Sequence, residues 1–506
     1  MTRSSGDQFI FPARIDETAL ANAIAGFSQE VSPGSPVKAF ALLDCHDQSL
    51  RASGRALIDT GGVLHLLRKD HGPLSQQYSG HLRFVRDLSE GPVQKALSDF
   101  PELRALTRIG VGEIRVQTFA VLDDLQKTKV RGTLTYMSTP SGQATIVRIQ
   151  KLRGYKKAYQ LVCSSIASIT GSVHDIETLY SSLIPDMVPY QAKPEIKFGQ
   201  ADPSIEVAAK IIQTYLRVAR QNEEGVIADI DTEFLHDYRV SLRKIRSVIS
   251  LFKGVLSESQ TTELKRVFSD LMTRTGPLRD LDVYLLEKDK YFNLIPPNLH
   301  VGLSEMFDQL QTERAQEQLR LSRWLHSADY TTTMTDLTAL FASPDHLDLG
   351  PNAHRGTYDY ACALIWKRYR KVCKLARGIT VSTPDKTVHD LRIECKKLRY
   401  LMELFDPLFD WNGLRMILKP LKKLQDSLGL FNDYSVQQDA LLTFVASRAD
   451  TQGRVDAQIG LSVGGLIAVL DQRKKTERMR VVASFHQFDG QDVRHMFRSQ
   501  FHHKVE

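Results

Sequence analysis

The chain has 506 residues, of which 42% are hydrophobic and 25% are charged. This is the composition of an ordinary globular protein, and it excludes a disordered or collagen-like chain. The 66 lysines and arginines against 59 acidic residues give a net charge of only +7, which does not by itself indicate a nucleic-acid binder. If the protein binds a polyanion, its positive charge must be concentrated locally.

The residues up to about 165 predict a β-rich region. Short apolar runs lie between turn signals such as Ser53-Gly54 and Gly61-Gly62, the pattern of strands joined by tight turns. Strands are predicted at 39–43, 63–67, 113–122, 128–137 and 145–151. The segment 88–106 has a more helical pattern. We therefore predict a mostly-β domain over residues 1–184.

A linker is predicted over 185–203, where prolines and glycines are concentrated. Beyond it, helical periodicity and long charged faces replace the strand pattern, and a helical domain is predicted over 204–490. The five cysteines are dispersed without a Cys-x-x-Cys pair, which favours reduced thiols over disulfides or a zinc site. Because residues 1–7 lack the apolar core of a signal peptide, and no apolar stretch is long enough to cross a bilayer, we expect a cytoplasmic protein.

The strongest feature is an internal repeat in the helical part. Leu235–Arg246 aligns with Val388–Arg399 at an offset of 153 residues, and the alignment continues well past these segments without a gap. This period is far longer than that of solenoid arrays. It predicts a duplicated helical subdomain, with copies at about 204–345 and 355–490 related by a pseudo-twofold axis.

Both copies have a basic arc on an amphipathic helix. With ~100° between successive helical residues, four basic positions of each copy fall within a quarter of the helix circumference. These are His236, Arg239, Arg243 and Arg246, then His389, Arg392, Lys396 and Arg399. The predicted core residues on the opposite sides are Leu242, Ile245, Val248, Ile249 and Phe252, then Leu398, Leu401, Met402 and Phe405. We expect Asp231 or Thr232 to cap the first helix, and Thr383, following Ser382, to cap the second with Pro384 as its first helical residue.

A run of charge on a helix is usually a solvated face, but such faces normally mix signs. Here Asp237 is the only acid from His236 to Phe252. Like charges three and four residues apart destabilise a helix unless a polyanion or buried acids offset them. The planar guanidinium group of arginine can donate two hydrogen bonds to the oxygens of one phosphate. A row of such residues is suited to a linear anion with repeating charge. The two equivalent histidines fit a phosphate donor or an orienting hydrogen bond better than a metal ligand, because no second His or Cys lies at ligand spacing.

These segments resemble the CHAD domain, the conserved histidine α-helical domain. His236–Arg246 and His389–Tyr400 are similar to its two hallmark helices, and Gly276–Asp282 and Leu424–Asp433 are similar to its further signatures. The resemblance covers about residues 200 to 480. It implies two four-helix bundles about a pseudo-twofold axis, with a basic groove or pore that binds inorganic polyphosphate. Members of this family are associated with polyphosphate granules, and the domain is regarded as a binding module without catalysis.

The resemblance also implies the contact residues, position by position. The implied polyphosphate contacts are His236, Arg239, Arg243, Lys244, Arg246, His389, Arg392, Lys396, Lys397 and Arg399. Lys244 and Lys397 match the motif but project to the side of the arc. We expect Asp280, Asp282 and Asp433 to hold arginines of the basic arcs rather than a metal ion, and we expect no catalytic residue, metal or cofactor.

The N-terminal part is similar in outline to a CYTH domain, the β-barrel tunnel of triphosphate hydrolases that often precedes a CHAD domain. Leu43–Gly54 resembles one segment of that barrel, but the hallmark Glu-x-Glu-x-Lys is missing, and Gln8–Arg14 stands in its place without carboxylates. Those acids would hold the divalent ion. We therefore expect a degenerate CYTH-like barrel or half-barrel without activity. The nearby basic residues fit a solvated surface better than an anion site; they are Arg148, Lys151, Arg153, Lys156 and Lys157.

The leading interpretation is an α+β protein that binds inorganic polyphosphate without catalysis and has a place on polyphosphate granules. One alternative is a metal-dependent tripolyphosphate hydrolase working through the N-terminal domain. Another is a binder of nucleic-acid phosphate backbones, which is disfavoured because the arcs carry almost no aromatic side chains for stacking bases, Tyr400 lying just off the second arc. No membrane partner is expected, and the sequence leaves the oligomeric state open.

Overall fold

The computed structural model describes residues 7–15, 20, 24, 27–69, 71–169, 175–380, 383–409, 411–448 and 456–502. Residues 1–6 and Ser382, on which the signal-peptide and cap expectations partly rest, lie outside the described residues. The chain divides into two compact units, Met1–Ala192 and Lys193–Glu506. Within the described part, no helix is both long and apolar enough to cross a membrane.

The N-terminal unit is built on one antiparallel sheet. Its described strands are β1 (Gln8–Phe11), β2 (Ser28–Val31), β3 (Lys38–Asp44), β4 (Arg55–Asp59), β5 (Val63–Arg68), β6 (His71–Gln77), β7 (Thr107–Leu122), β8 (Thr128–Thr139) and β9 (Gly142–Lys151). The strand order is β1-β9-β8-β7-β3-β4-β5-β6, and β2 pairs with the last residues of β7. Among the described residues β1 and β6 remain the two edges, so the sheet is not closed. The predicted β-rich unit is confirmed, and it is consistent with a CYTH-like domain, but the described strands do not form a closed barrel.

Both faces of this sheet are covered. Side chains alternate along each strand, so that Phe9 of β1 faces one side and Ile10 the other. In the described residues of this unit, four short helices accompany the sheet: α1 (Ser49–Ala52), α2 (Pro92–Ala96), α3 (Lys156–Ala167) and α4 (Ile176–Leu183). Val162 of α3 packs on the Phe9 side, and Leu179 of α4 packs on the Ile10 side.

The predicted strands are all present, but the helical interpretation of 88–106 was largely wrong. Only α2 is an α-helix there. Pro92 suits the first turn of a helix, whereas Pro101 follows soon after and cannot continue one. The apolar residues that suggested a helix, Leu88, Val93 and Leu97, instead form part of a buried cluster against the sheet.

The C-terminal unit is helical. Its first half has α5 (Ser204–Ile227), α6 (Thr232–Leu251), α7 (Glu258–Arg274), α8 (Gly276–Leu286), α9 (Lys288–Phe292), α10 (His300–Leu325) and α11 (Ala328–Leu340). Its second half has α12 (Thr357–Ala376), α13 (Asp385–Leu404), α14 (Trp411–Ser447), α15 (Ala457–Phe488) and α16 (Gln491–Phe501).

The helix bounds confirm the repeat. Helices α6 and α13 are both 20 residues long, and they begin and end at the same offset of 153 residues. Helices α5 and α12 also begin at that offset. The long α14 spans the region equivalent to α7 and α8 together. The first copy is interrupted at Gly276-Pro277, where Pro277 has no backbone N–H to continue the ladder, while Leu430 stands at the equivalent position.

Contacts between equivalent positions of the two halves support the pseudo-twofold relation. Phe252 and Phe405 stack on each other with ring centroids 4.9 Å apart and an interplanar angle of 12°. Met306 of α10 and Ile459 of α15, which are also equivalent, lie in one buried cluster. A residue meets its own counterpart only beside the axis that relates the two copies. The axis therefore passes near the ends of α6 and α13.

The caps of these two helices differ. Asp231 caps α6 as expected, because its side chain accepts hydrogen bonds from the backbone N–H groups of Glu233 and Phe234. In the second copy Pro384 precedes the first helical residue instead of being it. The Thr383 hydroxyl accepts from the backbone N–H of Thr380 rather than capping the helix, so that part of the prediction was wrong.

Candidate functional site

The arcs of α6 and α13 come together in one surface, which we call the basic face. It consists of His236, Arg239, Arg243, Arg246, His389, Arg392, Lys396 and Arg399. The predicted core residues of both helices are all buried, so hydrophobic burial fixes which side of each helix turns outward. Phe252 and Phe405 end the two apolar faces and join them.

Arg243 and Lys396 show that the two arcs meet, because they occupy equivalent positions of the repeat and act on each other electrostatically. Burial, Arg392 and Arg243 together lower the pKa of Lys396 to about 8. Arg243 is exposed to solvent, yet surrounding protein desolvates it and lowers its pKa, an effect that Tyr400 opposes and Arg279 reinforces. Two equivalent cations, each partly desolvated by the surrounding protein, therefore lie close to each other beside the axis.

Arg239 and Arg392 are also equivalent, and both are anchored. Arg239 donates hydrogen bonds to the carbonyl oxygen of Met272 at 2.9 Å and to Oγ1 of Thr275 at 2.6 Å. Arg392 forms an ion pair with Asp433 at 3.6 Å. Burial lowers the pKa of both guanidiniums, although nearby carboxylates oppose the effect. These contacts therefore hold both arginines in fixed positions within the basic face.

The three aspartates of the predicted signatures divide into two groups. Asp433 holds Arg392, and its equivalent Asp280 interacts with Arg239, as expected. Asp282 has a different main partner from the one expected: it is buried and accepts a hydrogen bond at 2.9 Å from Arg314, which is not a residue of the arcs, and its interaction with Arg279 is electrostatic. No group of three or more His, Cys, Asp or Glu residues suited to a metal ion occurs in the described ranges.

The two histidines make equivalent contacts with different partners. Nδ1 of His236 lies 3.0 Å from the guanidinium of Arg279, and Nδ1 of His389 lies 2.7 Å from Oδ1 of Asn432. Positions 279 and 432 are equivalent in the repeat. Because Arg279 is always a donor, Nδ1 of His236 accepts, whereas Nδ1–H of His389 donates. The imidazole of His236 is thus oriented by α8, and that of His389 by α14.

Lys244 and Lys397 are not brought into the face. Nζ of Lys244 donates to the hydroxyl of Tyr215 at 2.6 Å and lies 4.6 Å from the centroid of that ring. Lys397 donates to the buried carboxylate of Glu394 at 3.1 Å, which also holds Arg368. Lys244 thus points towards the preceding helix α5, and Lys397 pairs with a carboxylate of its own helix, so their place in a binding site remains a prediction.

Arg246 and Arg399 occupy the far end of the arcs and differ in their neutralisation. Arg399 forms an ion pair with Glu403 at 3.1 Å. Ser250 stands at the equivalent position of the first copy, and among the described residues no carboxylate pairs with Arg246. The first half therefore contributes the larger uncompensated charge.

Sequence reasoning missed Arg279. It lies within the Gly276–Asp282 signature, but its counterpart is the uncharged Asn432, so the repeat gave no reason to select it. Including Arg279, the face carries seven lysine and arginine side chains against three carboxylates, Asp280, Asp433 and Glu403. Such an excess of positive charge in a partly desolvated surface is suited to binding an anion with several charges.

Comparison with known proteins identifies the helical unit. Residues 210–442 match the family model of the CHAD domain. The crystal structure of the CHAD domain from the plant Ricinus communis is similar at 25% sequence identity with a TM-score of 0.49, over 59% of this chain and 95% of that chain. PptA from Streptomyces chartreusis is similar at 14% identity with a TM-score of 0.44, over 56% of this chain and 100% of that chain. No curated protein matches. The family-model match includes all four motif segments, and residues 210–442 of this chain are a CHAD domain.

Proposed function

We propose that the CHAD domain of this chain binds inorganic polyphosphate on the basic face, without catalysis. The observation that carries the proposal is the pair Arg243 and Lys396 beside the axis, where two cations are desolvated next to each other. In the free protein this arrangement is unfavourable. A polyanion on the face would supply the missing negative charge.

The extent of the face favours a linear ligand over a single phosphate. The cations follow both helices over the positions 236–246 and 389–399, which is about 15 Å at ~1.5 Å per residue. A compact phosphate would contact only a few of these side chains. A chain of phosphates crossing the axis could contact Arg243 and Lys396 together, and then the anchored arginines of each half.

The composition of the face favours polyphosphate over nucleic acid. Proteins that bind single-stranded nucleic acid combine a positive groove with aromatic platforms for the bases. Here Tyr400 is the one aromatic side chain whose charge interactions reach both Arg243 and Arg392 in the described residues. The side chains of the basic face therefore offer contacts to phosphate groups but few to bases.

Equilibrium titration with labelled long-chain polyphosphate tests the proposal. The quadruple variant R239A/R243A/R392A/K396A should lose most of the affinity, and binding by the wild type should weaken as salt is raised. Because Arg239 and Arg392 also support the fold, the double variant R243A/K396A is the cleaner probe. A matched control is K265A/R473A, since both residues are exposed cations outside the face. Equal binding by the wild type and the quadruple variant would contradict the proposal.

The proposal extends to the cellular location and the N-terminal unit. We expect the protein in the cytoplasm, concentrated on polyphosphate granules through this interaction. We expect no tripolyphosphate hydrolysis by the N-terminal unit, because β1 carries Gln8 and apolar residues where metal-binding carboxylates would be needed. Phosphate release from tripolyphosphate with Mg²⁺ or Mn²⁺, above a control without protein, would contradict that expectation.

A further inference from the structure

A second cationic groove lies in the C-terminal unit, between α12 and α16; we call it the outer groove. Its volume is about 1100 Å³, and none of the described residues that line it is acidic. Helix α12 supplies Lys367, Arg370 and Lys374, which are exposed and follow one another at spacings of three and four residues. Helix α16 supplies Arg498 from the opposite wall.

Part of the charge around this groove is compensated by the protein. The buried Asp489 accepts paired hydrogen bonds from Arg377 and Arg494, at 2.9–3.1 Å. Lys371 forms an ion pair with Glu394 at 3.1 Å. The contacts of Asp489 tie the end of α12 to the segment that begins α16, and the pair of Lys371 with Glu394 ties α12 to α13.

The remaining cations have no such partner. Within the ranges that the structure describes, no carboxylate pairs with Lys367, Arg370, Lys374 or Arg498. Like charges at helical spacings of three and four destabilise the helix that carries them. A bound anion would offset this cost.

The outer groove is distinct from the duplicated basic face, and most of its cations are not repeated in the first half. The positions of α5 equivalent to Lys367, Arg370 and Lys374 are Thr214, Arg217 and Gln221, so the first half retains only one of the three cations. The cationic stripe is therefore particular to the second half and independent of the repeat that produces the basic face.

The floor of the groove indicates which anion fits. Tyr369 stacks on Phe497 with centroids 3.8 Å apart and an interplanar angle of 11°. Trp366 packs against His502 at 4.7 Å. These rings are engaged in packing with each other, whereas nucleic-acid grooves offer rings to the bases. The charges are thus suited to a phosphate chain without bases.

We propose that the outer groove is a second binding site for inorganic polyphosphate, separate from the basic face. The inference rests on the proposed function for the class of its ligand but not for its location. Two sites on one molecule allow a long chain to bind both, so that its overall affinity exceeds that for a short chain. Chain-length dependence would then arise from the second half of the C-terminal unit.

The test is calorimetric titration of the full chain with short-chain polyphosphate, with the stoichiometry as the readout. The groove variant is K367E/K374E/R498E, and the face variant is R243A/K396A. The matched control K265E/K419E/R473E changes the same charge at exposed positions outside both sites. Circular dichroism establishes that each variant is folded, and K367Q/K374Q/R498Q replaces the groove variant if charge reversal prevents folding.

We expect two sites per chain in the wild type and the control, and one in the groove variant. For long chains, log K falls as log salt rises, and the groove variant should make this dependence shallower. Its negative slope should shrink in magnitude by roughly 2, at ~0.7 for each of three lost contacts. Unchanged stoichiometry and slope in the groove variant would overturn the inference. Loss of binding in the face variant alone would refute the outer groove but leave the proposed function of the basic face intact. Loss of binding in the groove variant alone would support the outer groove and contradict the proposed function of the basic face. Displacement of polyphosphate from the face variant by single-stranded RNA at equal phosphate concentration would overturn the choice of ligand.

Discussion

Lys396 is the residue at which the basic face most affects the free protein. Its pKa falls from 10.5 to about 8, through burial first and then Arg392 and Arg243. At ~1.4 kcal/mol per pH unit, keeping it charged at pH 7 costs the folded state about 3 kcal/mol at most, and about 1–3 kcal/mol once solvent screening is allowed for. Lys396→Met keeps the apolar stem and removes the charge. We predict that it raises the free energy of unfolding at pH 7 by that amount.

The pH dependence gives the sign of the effect independently. Between pH 8 and 10.5 the unfolded state binds the Lys396 proton more tightly than the folded state does, so wild-type stability rises with pH in this window. The variant lacks that gain, and its advantage over the wild type should disappear near pH 10.5. Urea unfolding at low ionic strength, followed by circular dichroism without any polyanion, measures both effects.

Lys397→Met is the matched control for this experiment. Lys397 is one residue away but pairs with the buried Glu394, so its replacement should lower stability. A Lys396→Met protein that is no more stable than the wild type at pH 7 would refute the reasoning, because the desolvated charge cluster would then carry no energetic cost.

Three further predictions concern the supports of the site. Burial would raise the pKa of Glu394, but Arg368, Lys397 and Lys371 hold it at about 2. Glu394→Gln should therefore lower the free energy of unfolding at pH 7 by about 3 kcal/mol. It should also remove the loss of stability that the wild type shows as pH falls from 4.5 towards 2, and urea unfolding measures both effects. Phe252→Ala and Phe405→Ala should each lower the free energy of unfolding by about 3–5 kcal/mol. Because the rings are in contact, the double variant should lose less than the sum of the two single losses. Strict additivity in the same assay would contradict the stacked pair at the axis. Arg279→Ala should weaken polyphosphate binding about tenfold, the effect of losing ~1.4 kcal/mol, whereas Asn432→Ala at the equivalent uncharged position should have a smaller effect; equal losses in a titration would contradict the role assigned to Arg279.

Much of the helical unit could be predicted from the sequence because the repeat and the hydrophobic periodicity are both local signals. The offset that aligns His236 with His389 also fixes the bounds of α6 and α13. Burial of the apolar stripe then determines which side of each helix is free to carry charge. The arc residues could be selected for the same reason.

Contacts between helices were the part that the sequence could not supply. A helical wheel shows that Lys244 lies beside the arc, but not that Tyr215 of the neighbouring α5 binds it. It also does not show that the partner of Lys397, Glu394, is held by Arg368 of α12. Asp282 was assigned to the basic face for the same reason, since Arg314 lies 32 residues away along the chain.

The outer groove and the N-terminal sheet show the same limit over longer distances. The walls of the groove come from α12 and α16, which are more than a hundred residues apart in the chain. In the N-terminal unit, the alternation of apolar residues predicted the strands, but whether the sheet closes depends on pairing between β1 and β6, which no local pattern encodes.

Proton uptake on polyphosphate binding tests the central claim most directly, because it reports on Lys396 itself. A polyanion on the basic face must raise the pKa of Lys396 from about 8. Titration calorimetry near pH 9, in buffers of different ionisation enthalpy, should therefore show an uptake approaching one proton per chain in the wild type and none in Lys396→Met. Binding of polyphosphate with no proton uptake by the wild type, or with the same uptake in the variant, would place the ligand elsewhere and contradict the account.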